Sequence, residues 1–360
     1  MERARVITPG YRFAEALAAA VRAVDAGSAE QARERHDGLA KPPGSLGRIE
    51  ELGVQLAAIA RRCPPPVPER ASLVVCAGDH GIAERGASAW PSEVTTTMVG
   101  AFLRGRASAN AIAAAAGAEV LVLDVGVRGE LPDHSCLVRA RVRPGTADLS
   151  RGPAMTREEA EQAVEAGAAV AERLGGAGAE VLLCGDMGIG NTAPAACLVA
   201  CFTGAAPEEV TGPGAGGPPG HVARKAELVA EALRRNRPDP DHPLDALAAV
   251  GGLEHAAQVG IMLGGARAGL PVILDGVASG AAALVAGALC PAALGYLVAG
   301  HRSSEPAAGR ALAHLRLRPL LDLDLRLGEG TGALLALVLV RAAARVLRDV
   351  ATLDEVAGAR

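Results

Sequence analysis

Four short apolar runs constrain this chain most: SLVVCAGDHG from Ser72, AEVLVLDVG from Ala118, AEVLLCGDMGIGN from Ala179 and LPVILDG from Leu270. Each is rich in β-branched residues and reaches a glycine or an aspartate at its end, the pattern of a strand buried on both faces. Around and between them, helical periodicity with good helix formers marks Phe13 to Ala26, Leu46 to Ala60, Thr156 to Leu174, Val222 to Leu233 and Leu253 to Ala268. Strands alternating with helices predict an α/β fold, a parallel sheet flanked by helices. Ligands of such open sheets bind beyond the carboxyl ends of the strands. GDHG, DVG, GDMGIGN and LDG all fall there.

At 360 residues the chain is long enough for one large domain or two ordinary ones. The proline-rich CPPPVPER from Cys63 reads as a stiff connector, so the residues before it form a separate helical layer. Ala and Gly are abundant and aromatics make up only 2%, which predicts helices packed closely through small side chains. A formal net charge of -4 and so few aromatics argue against a nucleic-acid partner and for a small, buried substrate. Seven cysteines, an odd number lying mostly in apolar segments, read as free thiols in a reducing cytoplasm. Cys197 and Cys201 share a helix face, but no CxxC or histidine pair accompanies them, so core packing is favoured over a structural metal. The charge-broken MERARVITPGYRFAEALAAAV is unlike an export signal. Gly276 to Gly300 is uncharged and long enough to span a bilayer, but its Gly and Ala content and Pro291 favour a buried helix followed by a strand.

CGDMGIGNTAPAA from Cys184 is the strongest local signal: a strand, a glycine turn, and a helix whose first turn offers backbone N–H groups to an anion such as phosphate. Gly188, Gly190 and Ala193 also satisfy a dinucleotide fingerprint, but the acidic residue on a second strand about 20 residues on is missing, and a loop sequence stands there. No GxxxxGK[ST] occurs, which excludes a P-loop. GPGAGGPPGHVARK from Gly212 brings Lys225 near a flexible loop, as a phosphate counter-charge or a solvated surface lysine. Asp79 and His80 in AGDHG fit catalysis, metal binding or turn support, and spacing favours support. Ser303, Ser304 and Glu305 open a helix, either as its cap or as donors to a substrate carboxylate. Trp90, the only tryptophan, reads from composition as core, with an aromatic pocket wall as the alternative. Glu329, between Gly328 and Gly330, is either an acid at a helix N-terminus or, if partly buried, a general base.

Read in order, seven blocks resemble the nicotinate-nucleotide:dimethylbenzimidazole phosphoribosyltransferase family of cobalamin nucleotide-loop assembly, along nearly the whole chain. They are KPPGSLGRIEELGVQLA from Lys41, AGDHGIAERGASAWPSEVT from Ala77, LVLDVGV from Leu121, GDMGIGNTAPAA from Gly185, AAVGGLEHAAQVGIMLGGARAGLPVILDG from Ala248, GHRSSEP from Gly300 and LRLGEGTGALLAL from Leu325. The resemblance implies a large Rossmann-like α/β domain at residues 66–334, a smaller helical domain from both chain ends (1–65 and 335–360), and a cytoplasmic homodimer that needs no cofactor or metal and contacts no membrane. It implies phosphoribose transfer from nicotinate mononucleotide to 5,6-dimethylbenzimidazole, giving α-ribazole 5'-phosphate and nicotinate. Glu329 takes the family's catalytic glutamate position and Asp186 the acid of GDMG, one methylene shorter than the Glu of some members. Phosphate falls on Gly188, Ile189, Gly190 and Asn191 with Lys225, and the nicotinate carboxylate near Ser303 and Ser304. Trp90 and Met98 stand in the base pocket where Ser and Gln can occur, which leaves open transfer to a different base. The rivals are a dinucleotide-dependent oxidoreductase and a non-catalytic nucleotide- or benzimidazole-binding protein of the same fold.

Overall fold

The computed structural model describes residues 12–358; the stretch before residue 12, in which no export signal is read, lies outside them. Six strands form one sheet: β1 Ala71–Gly78, β2 Ala118–Gly126, β3 Leu137–Arg139, β4 Val181–Met187, β5 Val272–Leu274 and β6 Leu297–Ala299. Every pairing is parallel and the order is β3-β2-β1-β4-β5-β6. The order reverses between β1 and β4, so their carboxyl ends open the crevice in which doubly wound sheets hold ligands.

Alternation along the strands explains why helices cover both faces. Val74 and Cys76 of β1, with Leu182 and Cys184 of β4, point into one core, shared with the helices Arg157–Gly176 and Leu253–Arg267. Leu73 and Val75, with Val181 and Leu183, point into the other, shared with the helix Thr331–Asp349. Small residues bring the first pair of helices into near backbone contact. A Cβ added to Gly260 would lie 2.0 Å from the Val164 carbonyl oxygen, and one on Gly167 1.9 Å from that of Ala257.

Most boundaries follow the periodicity. Thr156 caps its helix with a reciprocal pair: its hydroxyl accepts from the Glu159 amide at 3.1 Å, and its own amide donates to the Glu159 carboxylate at 2.8 Å. The single helix expected over Phe13 to Ala26 is instead two, Phe13–Ala19 and Ala26–Gly38. Asp25 is the reason, because its carboxylate accepts from the Ser28 amide at 2.7 Å and starts a new helix. The uncharged stretch resolves into the buried helix Val277–Leu289, a short 3-10 turn over Pro291–Tyr296, and β6. Among the described residues no helix is long and apolar enough to cross a membrane. Ala32, Ala57 and Leu347 form a small separate cluster that joins elements from both chain ends.

Candidate active site

The turn after β4 is built by exclusion of side chains. Gly188 sits so close to β1 that a Cβ would lie 2.1 Å from the Gly78 carbonyl oxygen, and Gly190 has φ +92°, a left-handed conformation open to glycine. The Ile189 amide is held by the Thr95 hydroxyl at 3.0 Å. Asn191 then leads into the helix Thr192–Thr203, whose first turn presents amides and the positive end of its dipole. Lys225 is 1% exposed, and its ammonium donates to the Thr192 hydroxyl and, at 3.0 Å, to the Gly212 carbonyl. Burial depresses its pKa to about 8, against the pull of Glu305. Lys225, the Gly188 turn and the Gly214 to Gly216 loop line one cleft. A buried cation over a glycine turn at a helix N-terminus is suited to hold an anion.

That cleft continues into a second one, lined by Asp186, Ser303, His301, Arg326 and the start of the helix Val277–Leu289. Ser303 is buried there and its hydroxyl accepts from the Glu305 amide at 3.3 Å. Ser304 is exposed, does not line the cleft, and is tied only through its amide to the Leu325 carbonyl. The alternation of an extended segment puts one serine in and the next out. Glu305 accepts from the Gly214 amide at 2.7 Å, and Arg326 donates to the Gly214 carbonyl at 2.9 Å, so the glycine loop is pinned from both sides.

Glu329 has φ +63° between Gly328 at +83° and Gly330 at +85°, an unfavourable backbone for a residue with a side chain. Asp275, at the end of β5, holds it there by accepting from the amides of Gly330 (3.1 Å), Gly332 (2.7 Å) and Ala333 (3.2 Å). The approach is tight on the other side as well, since a Cβ on Gly185 would lie 2.9 Å from the Glu329 carbonyl oxygen. The Glu329 carboxyl is 5% exposed and accepts from the Ala109 amide at 3.3 Å. Burial raises its pKa; the Ala109 amide opposes the rise and Asp275 adds to it. Asp186 is raised further, to about 7, by burial and by Asp275, with His255 and the Asn191 amide pulling it down. Asp275 thus acts on both Asp186 and Glu329 near the strand ends, and none of the three has a lysine or arginine partner in the pairings found among the described residues.

The structure brings Asp186, the turn Gly188 to Asn191, Lys225 and Ser303 together. Trp90 is not core: it is 52% exposed, on the loop whose Ser88 lines the anion cleft, while Met98 is half-buried against the core below β4. A tryptophan counts as apolar in composition wherever it lies, so its burial is not decided by composition. Asp79 does support its turn, accepting from the Arg128 amide at 2.8 Å. Sequence reasoning did not single out Asp275, His301, Arg326, Thr192 or Glu254. Asp275 stood in LDG at a strand end, a signal that was available; Glu254 is the lone acid of a mostly apolar helix, which spacing alone leaves mute.

A glycine turn with a buried lysine, beside buried carboxyl groups at the switch point of a doubly wound sheet, suits a phosphoribosyltransferase, and the family model of that description matches residues 21–357. The chain belongs to this family. Its relatives are narrower in name: the nicotinate-nucleotide–dimethylbenzimidazole phosphoribosyltransferase of Salinispora tropica is 52% identical over 354 residues, covering 94% of this chain and 97% of that one. The protein of the same name from Thermus thermophilus is 52% identical over 325 residues, covering 90% and 96%. The crystal structure of CobT from Thermus thermophilus superposes with a TM-score of 0.89 at 51% identity, covering 92% of this chain and 98% of that one. The dinucleotide alternative fails on structure too: the stretch where an acidic strand end is needed holds the four-residue helix Pro207–Val210 and a loop.

Proposed function

We infer that this protein transfers phosphoribose from nicotinate mononucleotide to 5,6-dimethylbenzimidazole, forming α-ribazole 5'-phosphate and nicotinate in cobalamin biosynthesis. The observation that carries the mechanism is Glu329, a buried carboxyl with a raised pKa, fixed in a left-handed conformation beside two further carboxyl groups. A base poised above the ordinary carboxylate range is suited to accept a proton near neutral pH.

The chemistry assigns each group its work. Phosphate lies on the Gly188 to Asn191 turn with Lys225 as counter-charge, and the ribose runs past Asp186. The nicotinate carboxylate lies near Ser303, with Arg326 on the same wall. Nicotinate is joined to C1' as a pyridinium, so it leaves with a neutral ring nitrogen and needs no acid. One nitrogen of the benzimidazole attacks C1' from the opposite face, with inversion, and the other then carries a proton too many. Glu329 accepts it. As the bond to nicotinate breaks, positive charge grows on the ribose, and the carboxylates of Asp186, Asp275 and Glu329 favour that charge over the neutral ground state.

Trp90 and Met98 form the apolar side of the base pocket, and an exposed tryptophan edge is suited to stacking a flat bicycle. Exposed Trp90, together with Leu323 and Leu327, is apolar surface of the kind a second copy covers, which supports a homodimer. Seven free thiols support a cytoplasmic setting, and the cluster of Ala32, Ala57 and Leu347 supports a small helical unit from residues 1–65 and 335–360 beside a catalytic unit over 66–334. Incubation with nicotinate mononucleotide and dimethylbenzimidazole, read by mass spectrometry, tests the function. Product with another benzimidazole, adenine or a phenol alone would reassign the base; no product with any of them would leave only the binding-protein reading.

A further inference from the structure

Below the Gly188 turn lies a polar cluster that the mechanism above does not use. Glu254, on the first turn of the helix Leu253–Arg267, is wholly buried, with His255 Nδ1 at 2.6 Å and His80 Nε2 at 3.0 Å from the same carboxylate oxygen. The two imidazoles stand edge-on, 6.3 Å apart between ring centres. Neither histidine nor the Gln258 amide one turn further has a side-chain hydrogen-bond partner of good geometry among the described residues. Burying such groups is costly, and apolar side chains of similar size would hold the helix against the sheet at least as well. The cluster touches the site directly: a Cβ on Gly188 would lie 3.1 Å from His80 Nε2.

The charges bear on Asp186. It is faced by Asp275 from the end of β5, by Glu254 and His255 from the buried helix, by His80 from the end of β1, by the thiols of Cys76 and Cys184 in β1 and β4, and by the Gly328 to Glu329 loop. Burial raises Asp186, Asp275 and Glu254 raise it further, and His255 draws it down. Burial works against a charge on His80, but Glu254, Asp79 and Asp186 outweigh it and raise its pKa. Glu254 in turn is held well below the usual carboxylate range: burial opposes its charge, and His80 and His255 overcome burial.

Resting on the phosphoribosyl-transfer reading, we propose that His80, Glu254 and His255 are positioning residues for Asp186: the cluster, packed beneath the turn that follows it, keeps that carboxylate ionised, so that an anion stands beside C1' as nicotinate leaves. Glu254 anchors the imidazoles, and His255 offsets the repulsion that Asp275 and Glu254 exert on Asp186.

The test uses the whole enzyme. His255→Gln keeps a donor for Glu254 and removes the imidazole, so the acid limb of kcat/KM for nicotinate mononucleotide moves to higher pH by about half a unit or more, while the rate at the alkaline plateau stays within a few-fold of wild type. A merely structural role would lower the rate at every pH and leave the limb in place, and that result overturns the proposal. A second measurement needs no cluster variant and no turnover. Long-range proton–nitrogen NMR of the unaltered enzyme, followed through the neutral pH range, shows the His80 ring keeping both nitrogens protonated to a higher pH than a free imidazole, and Asp186→Asn shifts its signals. A His80 ring that titrates at or below a free imidazole, or that is indifferent to Asp186→Asn, sinks the idea even if His255→Gln fails to fold. Wild-type enzyme that makes no α-ribazole phosphate would instead refute the functional reading, leaving the coupling to be judged by NMR alone.

Discussion

Replacing Glu329 with glutamine isolates its charge from its shape. Glutamine has the same length, its carbonyl oxygen can still accept from the Ala109 amide now 3.3 Å from the carboxylate, and the +63° backbone costs the two residues alike. What disappears is the capacity to take a proton. General bases contribute roughly 100- to 10,000-fold, about 2.7 to 5.5 kcal/mol of barrier at 1.36 kcal/mol per tenfold. The variant therefore makes α-ribazole phosphate at least about 100-fold more slowly, with the KM for nicotinate mononucleotide little changed, since phosphate and nicotinate are held elsewhere. The pH dependence has a definite sign. Burial raises the carboxyl's pKa, so its protonation lowers wild-type activity as pH drops through a value above the ordinary glutamate range, and the variant keeps only the acid limb that Asp186 imposes. Stability moves the opposite way: a carboxyl whose folded pKa is raised weakens the fold where it is charged, above the folded pKa. The variant thus melts at or above the wild-type temperature at pH 8, and the advantage fades toward pH 4. Steady-state kinetics by liquid chromatography and mass spectrometry, with calorimetric melts at both pH values, decide it. Unimpaired turnover, or a slow variant that also melts well below wild type, would refute the assignment.

Three other perturbations separate the parts of the site. Lys225 loses its proton near pH 8, so affinity for nicotinate mononucleotide by titration calorimetry weakens as pH rises from 7.5 to 9; a flat affinity would remove Lys225 from the phosphate site. Ser303→Ala raises the KM for nicotinate mononucleotide several-fold, whereas Ser304→Ala leaves it near wild type because that side chain is outside the cleft; equal effects would contradict the placement. Gly188→Ala puts a methyl 2.1 Å from the Gly78 carbonyl oxygen, and the displacement costs about 1 to 3 kcal/mol of stability and most of the activity; a melt unchanged from wild type would show that the turn yields freely.

The strands were legible because they are buried on both faces, and such strands read as unbroken apolar runs whatever lies around them. β5 and β6 have three residues each and were still legible, β5 as part of LPVILDG and β6 as the strand after an uncharged helix; β3 was missed because its three residues lie at the sheet edge and none is buried. The helix break at Asp25 was hidden because the flanking apolar spacing continues while a single carboxylate starts a new helix. Within the site, the glycine turn announced itself through close approaches that exclude side chains. Asp275 did not, because its work is to accept three backbone amides from a loop 55 residues later, which no local spacing encodes. Trp90 was misread as core because composition counts a tryptophan as apolar without saying whether anything covers it.

Charge is sorted along the site, and the sorting answers why a glycine-rich loop carries a carboxylate. On the proposed reading Lys225 and Arg326, one in each of the two joined clefts, are the cations for a phosphate and a nicotinate carboxylate, and no carboxylate lies on the Gly188 turn itself. Beside the cleft stand Asp186, Asp275 and Glu329, all buried, and Asp275 raises the proton affinity of the other two. Burial and this repulsion favour the neutral forms of Asp186 and Glu329. A substrate that becomes cationic at C1' relieves the repulsion at the moment of transfer, so the arrangement is unfavourable with the site empty and most favourable at the transition state, the order of stabilities that speeds a reaction.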